Sequence, residues 1–160
     1  MKRTALIVWT LLKVATAILV VVWWVLHLRE LDSYLGIWLP GWARLPGLVL
    51  LIVGGLVVLV CGGVLSNRGI LTSGNGVLPT EFVAFGPFRY VRNPMSLGVV
   101  LLFFGLGSYE SSLSVVVFAA LLFFSLHLVV IYVEEPGLEK RFGENYRLYK
   151  RSVNRWLPKF

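Results

Sequence analysis

Four long apolar stretches dominate this 160-residue sequence and limit it to folds that can bury them or face them to lipid. They lie near residues 4–28, 45–65, 95–109 and 112–133. As helices, the first, second and fourth are long enough to cross about 30 Å of hydrocarbon. The third would extend only ~22 Å, so it needs flanking residues, a thinned bilayer or cover from protein. We therefore predict an all-α integral membrane protein with about four transmembrane helices in a single domain, residues 1–160.

Composition and charge support this prediction and orient it. Hydrophobic residues form 58% of the chain and the mean hydropathy is +0.81, too apolar for an ordinary soluble domain. The first stretch exceeds a typical signal-peptide core, contains Lys13 and ends at Trp23 and Trp24, so we interpret it as a retained span. Most Lys and Arg residues fall on one side of the predicted spans, against Arg29 and Arg44 on the other. Both termini are therefore expected in the cytoplasm, and in the inner membrane if the source is bacterial.

The formal net charge of +7 raises the question of a nucleic-acid partner. The basic residues border the apolar stretches and no nucleic-acid motif accompanies them, so we expect contact with anionic lipid headgroups and no nucleic acid. Cys61 is the only cysteine, which excludes an intrachain disulfide and a cysteine-based metal site. No metal site is predicted.

Glycines inside the apolar stretches favour close helix packing, because they remove side chains where a second helix can approach. They are Gly54, Gly55, Gly62 and Gly63 in the second stretch, with Gly98 and Gly105 in the third.

Two segments outside the apolar stretches have their own patterns. Pro79 and Pro87 prevent one continuous helix through residues 66–94, and the apolar residues there indicate a connector folded onto the cytoplasmic membrane face. Residues 136–156 show helical spacing of apolar side chains opposite a basic face, which predicts an interfacial helix bent near Gly143.

The candidate functional residues lie where these two segments meet the predicted spans. Glu134 and Glu135 end the fourth stretch, where carboxylates near hydrocarbon are costly unless paired or used. Their pattern is equally consistent with a helix-end pair bridged to arginines of the tail and with a functional site. Arg92, just before the third stretch, is typical of a positive-inside signal. His127 lies about two turns before Glu134, and we expect it to hydrogen-bond another helix.

At these residues the chain resembles the isoprenylcysteine carboxyl methyltransferase family, which includes relatives of phospholipid and thiol methyltransferases. The resemblance covers residues 79–158, about half of the chain. It rests on the run GPFRYVRNPM at 86–95 and, downstream, on Glu134, Glu135, Phe142, Gly143, Tyr146, Tyr149, Val153, Arg155 and Pro158.

The resemblance implies a helical pocket for S-adenosylmethionine, not a Rossmann domain, with a lipid-side entrance for a lipophilic acceptor. It implies that Glu134 binds the cofactor and that Arg92 is the Arg of the family's Arg-His-Pro segment. We predict Arg92 and Glu135 as catalytic residues, with Glu135 as the candidate base for an amine or thiol acceptor. The remaining cofactor-binding residues that it implies are Thr80, Glu81, Phe82, Val83 and Phe88 in the connector, followed by Asn93, Pro94, Met95 and Ser96.

Three positions depart from the family pattern. Asn93 replaces the usual His, Ser96 stands where Tyr is common, and Val130 stands where eukaryotic prenylcysteine enzymes carry an Arg. The acceptor therefore stays open between a carboxylate or thiol of an apolar molecule and a phospholipid amine. Two other readings also stay open: a nicotinamide-dependent membrane reductase of the sterol-reductase type, and a non-catalytic membrane scaffold. The sequence does not give the oligomeric state.

Overall fold

The computed structural model describes residues 2–67 and 86–158, which are almost entirely helical. No strand occurs in these two ranges, and one isolated bridge joins Trp38 to Ser112. The predicted all-α class is thus confirmed for the described residues. The helices are α1 (Lys2–Leu35), α2 (Arg44–Asn67), α3 (Pro94–Tyr109), α4 (Leu113–Val129), α5 (Glu135–Phe142) and α6 (Glu144–Ser152), with 3-10 turns at Gly41–Ala43 and Gly86–Arg89 and a π-helical segment at Val130–Glu134.

Two helical segments of the described chain are long and apolar enough to cross a membrane. They are Gly41–Leu65, with 25 residues, and Leu113–Phe142, with 30 residues. The apolar α3, Pro94–Tyr109, is shorter, with 16 residues. Membrane localisation is supported by these segments, whereas four crossings remain a prediction.

Glycines hold α2 and α3 in backbone contact. Gly47 and Gly54 of α2 face Gly98 and Gly105 of α3, and in each helix the two glycines are one heptad apart. A Cβ atom added at Gly54 would lie 2.7 Å from the carbonyl oxygen of Gly98. This confirms the packing role predicted for Gly54, Gly98 and Gly105.

The prediction was wrong for two other glycines of α2. A Cβ atom at Gly62 or Gly63 would meet nothing within 4 Å, and one at Gly55 would make only an ordinary contact with Leu102. Among the described residues, no other helix therefore packs closely on Gly62 or Gly63, and Gly55 lies at ordinary contact distance from α3.

A polar clasp ties α1 to the turn between α3 and α4. Asp32 is 1% exposed, and it accepts hydrogen bonds from the Ser112 hydroxyl and, at 2.9 Å, from the Ser114 backbone N–H. Arg29 pairs with Glu110 at 2.9 Å close by. Because buried carboxylates need such partners, Asp32 fixes where α1 ends relative to the start of α4.

The C-terminal region differs from the single bent helix predicted over 136–156. The helix begun at Leu113 runs through Pro136 and ends only at Phe142. Pro136 is the second residue of α5, just after the π-helical segment, where the α-helical hydrogen-bond pattern restarts, so its missing N–H interrupts little. Gly143, with φ of 55°, separates α5 from α6. The helix then ends at Ser152, and residues 153–158, which we call the tail, are not helical.

Candidate functional site

The site begins at the π-helical segment Val130–Glu134. A π turn holds more residues than an α turn, so it shifts the angular register of everything that follows. Across its end the two adjacent carboxylates have different surroundings: Glu134 is exposed, whereas Glu135 is 3% exposed. The sequence pair thus becomes one enclosed carboxylate and one open one.

Three cations surround Glu135. Arg155 of the tail binds both carboxylate oxygens, with its Nε 2.6 Å from Oε1 and its Nη2 3.1 Å from Oε2. Lys150 Nζ lies 3.3 Å from Oε2, and Arg92 Nη1 lies 3.1 Å from Oε1. The hydrogen bond to Glu135 raises the pKa of Arg155. Such a buried carboxylate is stable only because its charge is matched and its oxygens are hydrogen-bonded.

Backbone pairing brings the tail beside the segment that precedes α3. The Arg92 N–H donates to the Asn154 carbonyl at 2.9 Å, and the Asn93 N–H donates to the Arg155 carbonyl at 3.3 Å. The Tyr149 hydroxyl donates to the Phe88 carbonyl at 2.5 Å. Burial, followed by the neighbouring Tyr146, raises the pKa of Tyr149 to about 12, so this hydroxyl remains a donor at neutral pH.

Arg92 is the most unusual residue of the site. Its side chain is 9% exposed, yet neither its Nε nor its Nη1 donates a hydrogen bond within the described structure. Nη1 is close enough to Glu135 for an ion pair but lies outside hydrogen-bonding geometry. Buried donors without an acceptor are costly and rare in native proteins. Arg92 therefore presents donor atoms that suit an anionic ligand group.

The open carboxylate of Glu134 complements Arg92 in charge. Among the described residues, Glu134 forms no ion pair. Tyr146 is enclosed nearby: burial, followed by the charge of Glu135, raises its pKa. Within residues 2–67 and 86–158, the site thus combines unused Arg donors with a carboxylate that forms no ion pair, a set suited to a ligand that carries both signs of charge.

The other predicted cofactor residues fall into two groups. Pro94 is buried at the first turn of α3, Met95 and Ser96 are half-buried beside it, and Asn93 precedes the helix without a side-chain cap. Thr80, Glu81, Phe82 and Val83 lie outside the described residues. The structure thus brings Arg92, Asn93 and Glu135 together directly, and attaches Phe88 to them through Tyr149.

His127 takes part in holding the tail. Trp156 Nε1 donates a hydrogen bond to His127 Nδ1 at 2.9 Å, and the Trp156 and Phe123 rings meet edge to face with centroids 5.1 Å apart. The predicted hydrogen bond of His127 is present, although its partner is in the tail and not in another helix. The π-helical segment between His127 and Glu134 also alters the seven-residue relation assumed from the sequence.

Sequence reasoning missed Arg155 and Lys150 as partners of Glu135. Arg155 is 20 residues from Glu135, a separation that no helical period explains, and the tail that carries it leaves the helix before that point. The general possibility of a bridge from the acidic pair to tail arginines was nonetheless one of the two readings of the sequence. No group of three or more potential metal-ligating side chains occurs in the described part of the chain.

Comparison with known proteins places the chain by family. The phospholipid methyltransferase family model matches residues 42–145, a stretch that includes α2 to α5 and the residues from Arg92 to Glu135. No curated protein and no solved structure matches the chain. The match extends over more than half of the 160 residues. The chain belongs to the phospholipid methyltransferase family, a family of methyltransferases that act on lipophilic substrates.

Proposed function

We propose that this protein transfers a methyl group from S-adenosylmethionine to a lipophilic acceptor at the inner leaflet. One observation carries the proposal: the Arg92 side chain is buried with unused donors 3.1 Å from Glu135, the neighbour of Glu134, where an apolar helix leaves its predicted membrane span. A polar ligand held there would lie beside lipid. That location suits a reaction between a polar methyl donor and an apolar acceptor.

The side chains fit S-adenosylmethionine in their charges. When bound, the cofactor supplies a methyl group activated on a sulfonium, and it also carries an ammonium and a carboxylate. Glu134 would meet the cationic groups, and Arg92 Nε and Nη1 would donate to the carboxylate. We further assign Thr80, Glu81, Phe82, Val83, Phe88, Asn93, Pro94, Met95 and Ser96 to the cofactor pocket, as the family resemblance implies.

Glu135 would act mainly by holding this site together. Serving as a base for an amine or thiol acceptor would require at least one of its three cations to move away. A carboxylate or other anionic acceptor needs alignment and exclusion of water more than a base. We therefore favour an anionic acceptor on an apolar molecule over a phospholipid amine.

The distribution of Lys and Arg supports a cytoplasmic location for this site and for both termini. We infer four crossings, with α1, α2, α3 and α4 as the spans. The acceptor would then enter sideways from the inner leaflet.

Titration calorimetry of S-adenosylmethionine, and separately of NADPH, into nanodisc-purified protein tests the proposal. We expect saturable binding of S-adenosylmethionine alone, weakened at least about tenfold in Glu134→Ala by loss of a charged contact. Glu144→Ala is a matched control, because Glu144 is exposed and lies outside the site. Absence of binding to the folded wild type, binding of NADPH only, or unchanged affinity in Glu134→Ala would each contradict the assignment.

A further inference from the structure

Glu135 is shared unequally between two arginines. Its Oε1 lies 2.6 Å from Arg155 Nε and 3.1 Å from Arg92 Nη1. Arg155 forms a two-point pair with both oxygens, whereas Arg92 forms an ion pair without a hydrogen bond. The two guanidinium groups thus compete for one carboxylate, and Arg155 has the better geometry.

Contacts on both sides of Arg155 hold it in this geometry. Arg155 accepts a hydrogen bond at its carbonyl from Asn93, the residue that follows Arg92, so the tail and the Arg92 segment are held side by side. Trp156, directly after Arg155, is tied to α4 through His127. Arg155 therefore approaches Glu135 from a position set by two independent contacts, and a planar fork in a set position binds a carboxylate at two points.

We propose that Arg155 is a positioning residue: by holding both oxygens of Glu135, it keeps that carboxylate from hydrogen-bonding Arg92 and so leaves Arg92 Nε and Nη1 for the anionic group of the ligand. This rests on the proposed function only for the identity of the ligand. The arrangement of the three side chains is a property of the protein itself.

Removing Arg155 should change the hydrogen bonding of the Arg92 side chain, because the two arginines share Glu135. Glu135 Oε1 is already 3.1 Å from Arg92 Nη1, so a small rotation of the freed carboxylate would give Nη1 a hydrogen-bond acceptor. An arginine already hydrogen-bonded within the protein must lose that partner before it can bind a ligand. Ligand affinity should fall although Arg155 does not touch the ligand.

The variants are Arg155→Met and the double variant Arg155→Met with Glu135→Gln. The matched control is Arg147→Met, because Arg147 pairs with Glu139 and Glu144 on the exposed surface of α5 and α6. We expect S-adenosylmethionine affinity, measured by calorimetry, to fall about tenfold or more in the single variant. The double variant is compared with Glu135→Gln alone: there Arg155→Met should cause little further loss, because a neutral amide competes poorly for Arg92, and Arg147→Met should leave the affinity unchanged.

A second measurement needs no ligand. The N–H signals of the Arg92 guanidinium, observed by ¹⁵N-edited NMR and assigned with Arg92→Lys, should shift downfield and exchange more slowly with water in Arg155→Met. They should change little between Glu135→Gln and the double variant. If Arg155→Met does not fold, Arg155→Lys replaces it, since a single ammonium cannot form the two-point pair and should cause a smaller change in the same direction.

The outcomes separate this inference from the proposed function. If the wild type binds no S-adenosylmethionine, the proposed function fails and the N–H signals of the Arg92 guanidinium alone decide the role of Arg155. Unchanged signals in Arg155→Met, or an equal loss of affinity on Arg155→Met in the wild-type and Glu135→Gln backgrounds, would overturn the positioning role.

Discussion

The two carboxylates of this site differ in their surroundings and not in residue type. Glu134 and Glu135 are chemically identical and adjacent, but Glu135 lies among Arg92, Lys150 and Arg155 while Glu134 is exposed. Because Glu135 is buried and its charge is matched by these cations, removing it is costly: the cations would be left without a counter-charge. Glu134 is left available for a ligand.

The burial of Tyr149 beside this site can be tested by measuring stability at different pH values. Its folded-state pKa is raised by burial from an ordinary value of 10.0 to about 12, so the proton binds more tightly in the folded protein. The protonated Tyr149 hydroxyl therefore makes its full contribution to the free energy of unfolding below about pH 10, and this contribution is lost as the pH rises towards 12. The total is about 2 to 3 kcal/mol.

We predict that Tyr149→Phe lowers the free energy of unfolding by about 1 kcal/mol at neutral pH, through loss of the hydrogen bond to the Phe88 carbonyl. The variant should also lose less stability than the wild type between pH 9 and pH 11.5. Thermal unfolding in detergent at neutral pH, at pH 9 and at pH 11.5 measures both effects. Tyr90→Phe is the control, since Tyr90 is 63% exposed. A parallel alkaline decline in wild type and Tyr149→Phe would contradict the prediction.

At the scale of elements, the contact between α2 and α3 fixes the base on which the site is built. Gly105 has the least room of the glycines in this contact: a Cβ atom there would lie 2.7 Å from Leu51 Cα and 2.8 Å from the Gly47 carbonyl oxygen. Backbone atoms cannot move aside as a flexible side chain can, so the two helices would have to separate. The displacement would reach Pro94 and Arg92 at the start of α3.

We therefore predict that Gly105→Ala destabilises the protein by about 3 kcal/mol, at the upper end for overpacking. Gly62→Ala should be neutral or slightly stabilising, because a Cβ atom at Gly62 meets nothing within 4 Å and Ala favours a helix over Gly. Both variants are compared with wild type by thermal unfolding in the same detergent. Equal destabilisation of the two would show that helix separation is not the cause.

The elements also show how far the sequence predicts this fold. Apolar runs locate the four long helices because each must shield its backbone polar groups, and Gly143 was recognised as the bend of the C-terminal helix. The π-helical segment Val130–Glu134 has no signature in residue type or spacing. The same is true of the Arg155 pairing, which depends on where a non-helical tail lies in space. The sequence therefore singles out Glu134 and Glu135 as candidates, whereas the enclosure of Glu135 alone by three cations cannot be predicted from it.

At the scale of the whole molecule, two polar networks lie at opposite ends of one helix. The clasp of Asp32 with Ser112 lies just before α4 begins at Leu113. Glu135 and its cations lie beyond its last apolar turn. From Ser112 to Glu135 the helix advances about 23 residues, or about 35 Å at 1.5 Å per residue, so it separates the networks by slightly more than the roughly 30 Å of hydrocarbon.

This separation determines the orientation of α1. Because Asp32 bonds the start of α4, the C-terminal end of α1 lies on the membrane face opposite Glu135 if α4 crosses the bilayer. The N-terminal end of the 34-residue α1 would then return to the face that carries Glu135. The Trp residues near the clasp, Trp38 and Trp42, suit an interface on the same side as Asp32. The helix α1 precedes the family match at residues 42–145, so its orientation is best tested directly.

Single cysteines can test it, because Cys61 is the only native one. In a Cys61→Ser background, Ser33→Cys and Asn145→Cys introduce thiols at exposed positions, one beside Asp32 and one in α6. In sealed right-side-out vesicles, a membrane-impermeant maleimide should label Ser33→Cys at once, and Asn145→Cys only after permeabilisation. The reason is that a charged reagent cannot cross the hydrocarbon between the two networks. Labelling of both thiols from the same side would show that α4 does not separate them, and the four-span arrangement would then be wrong.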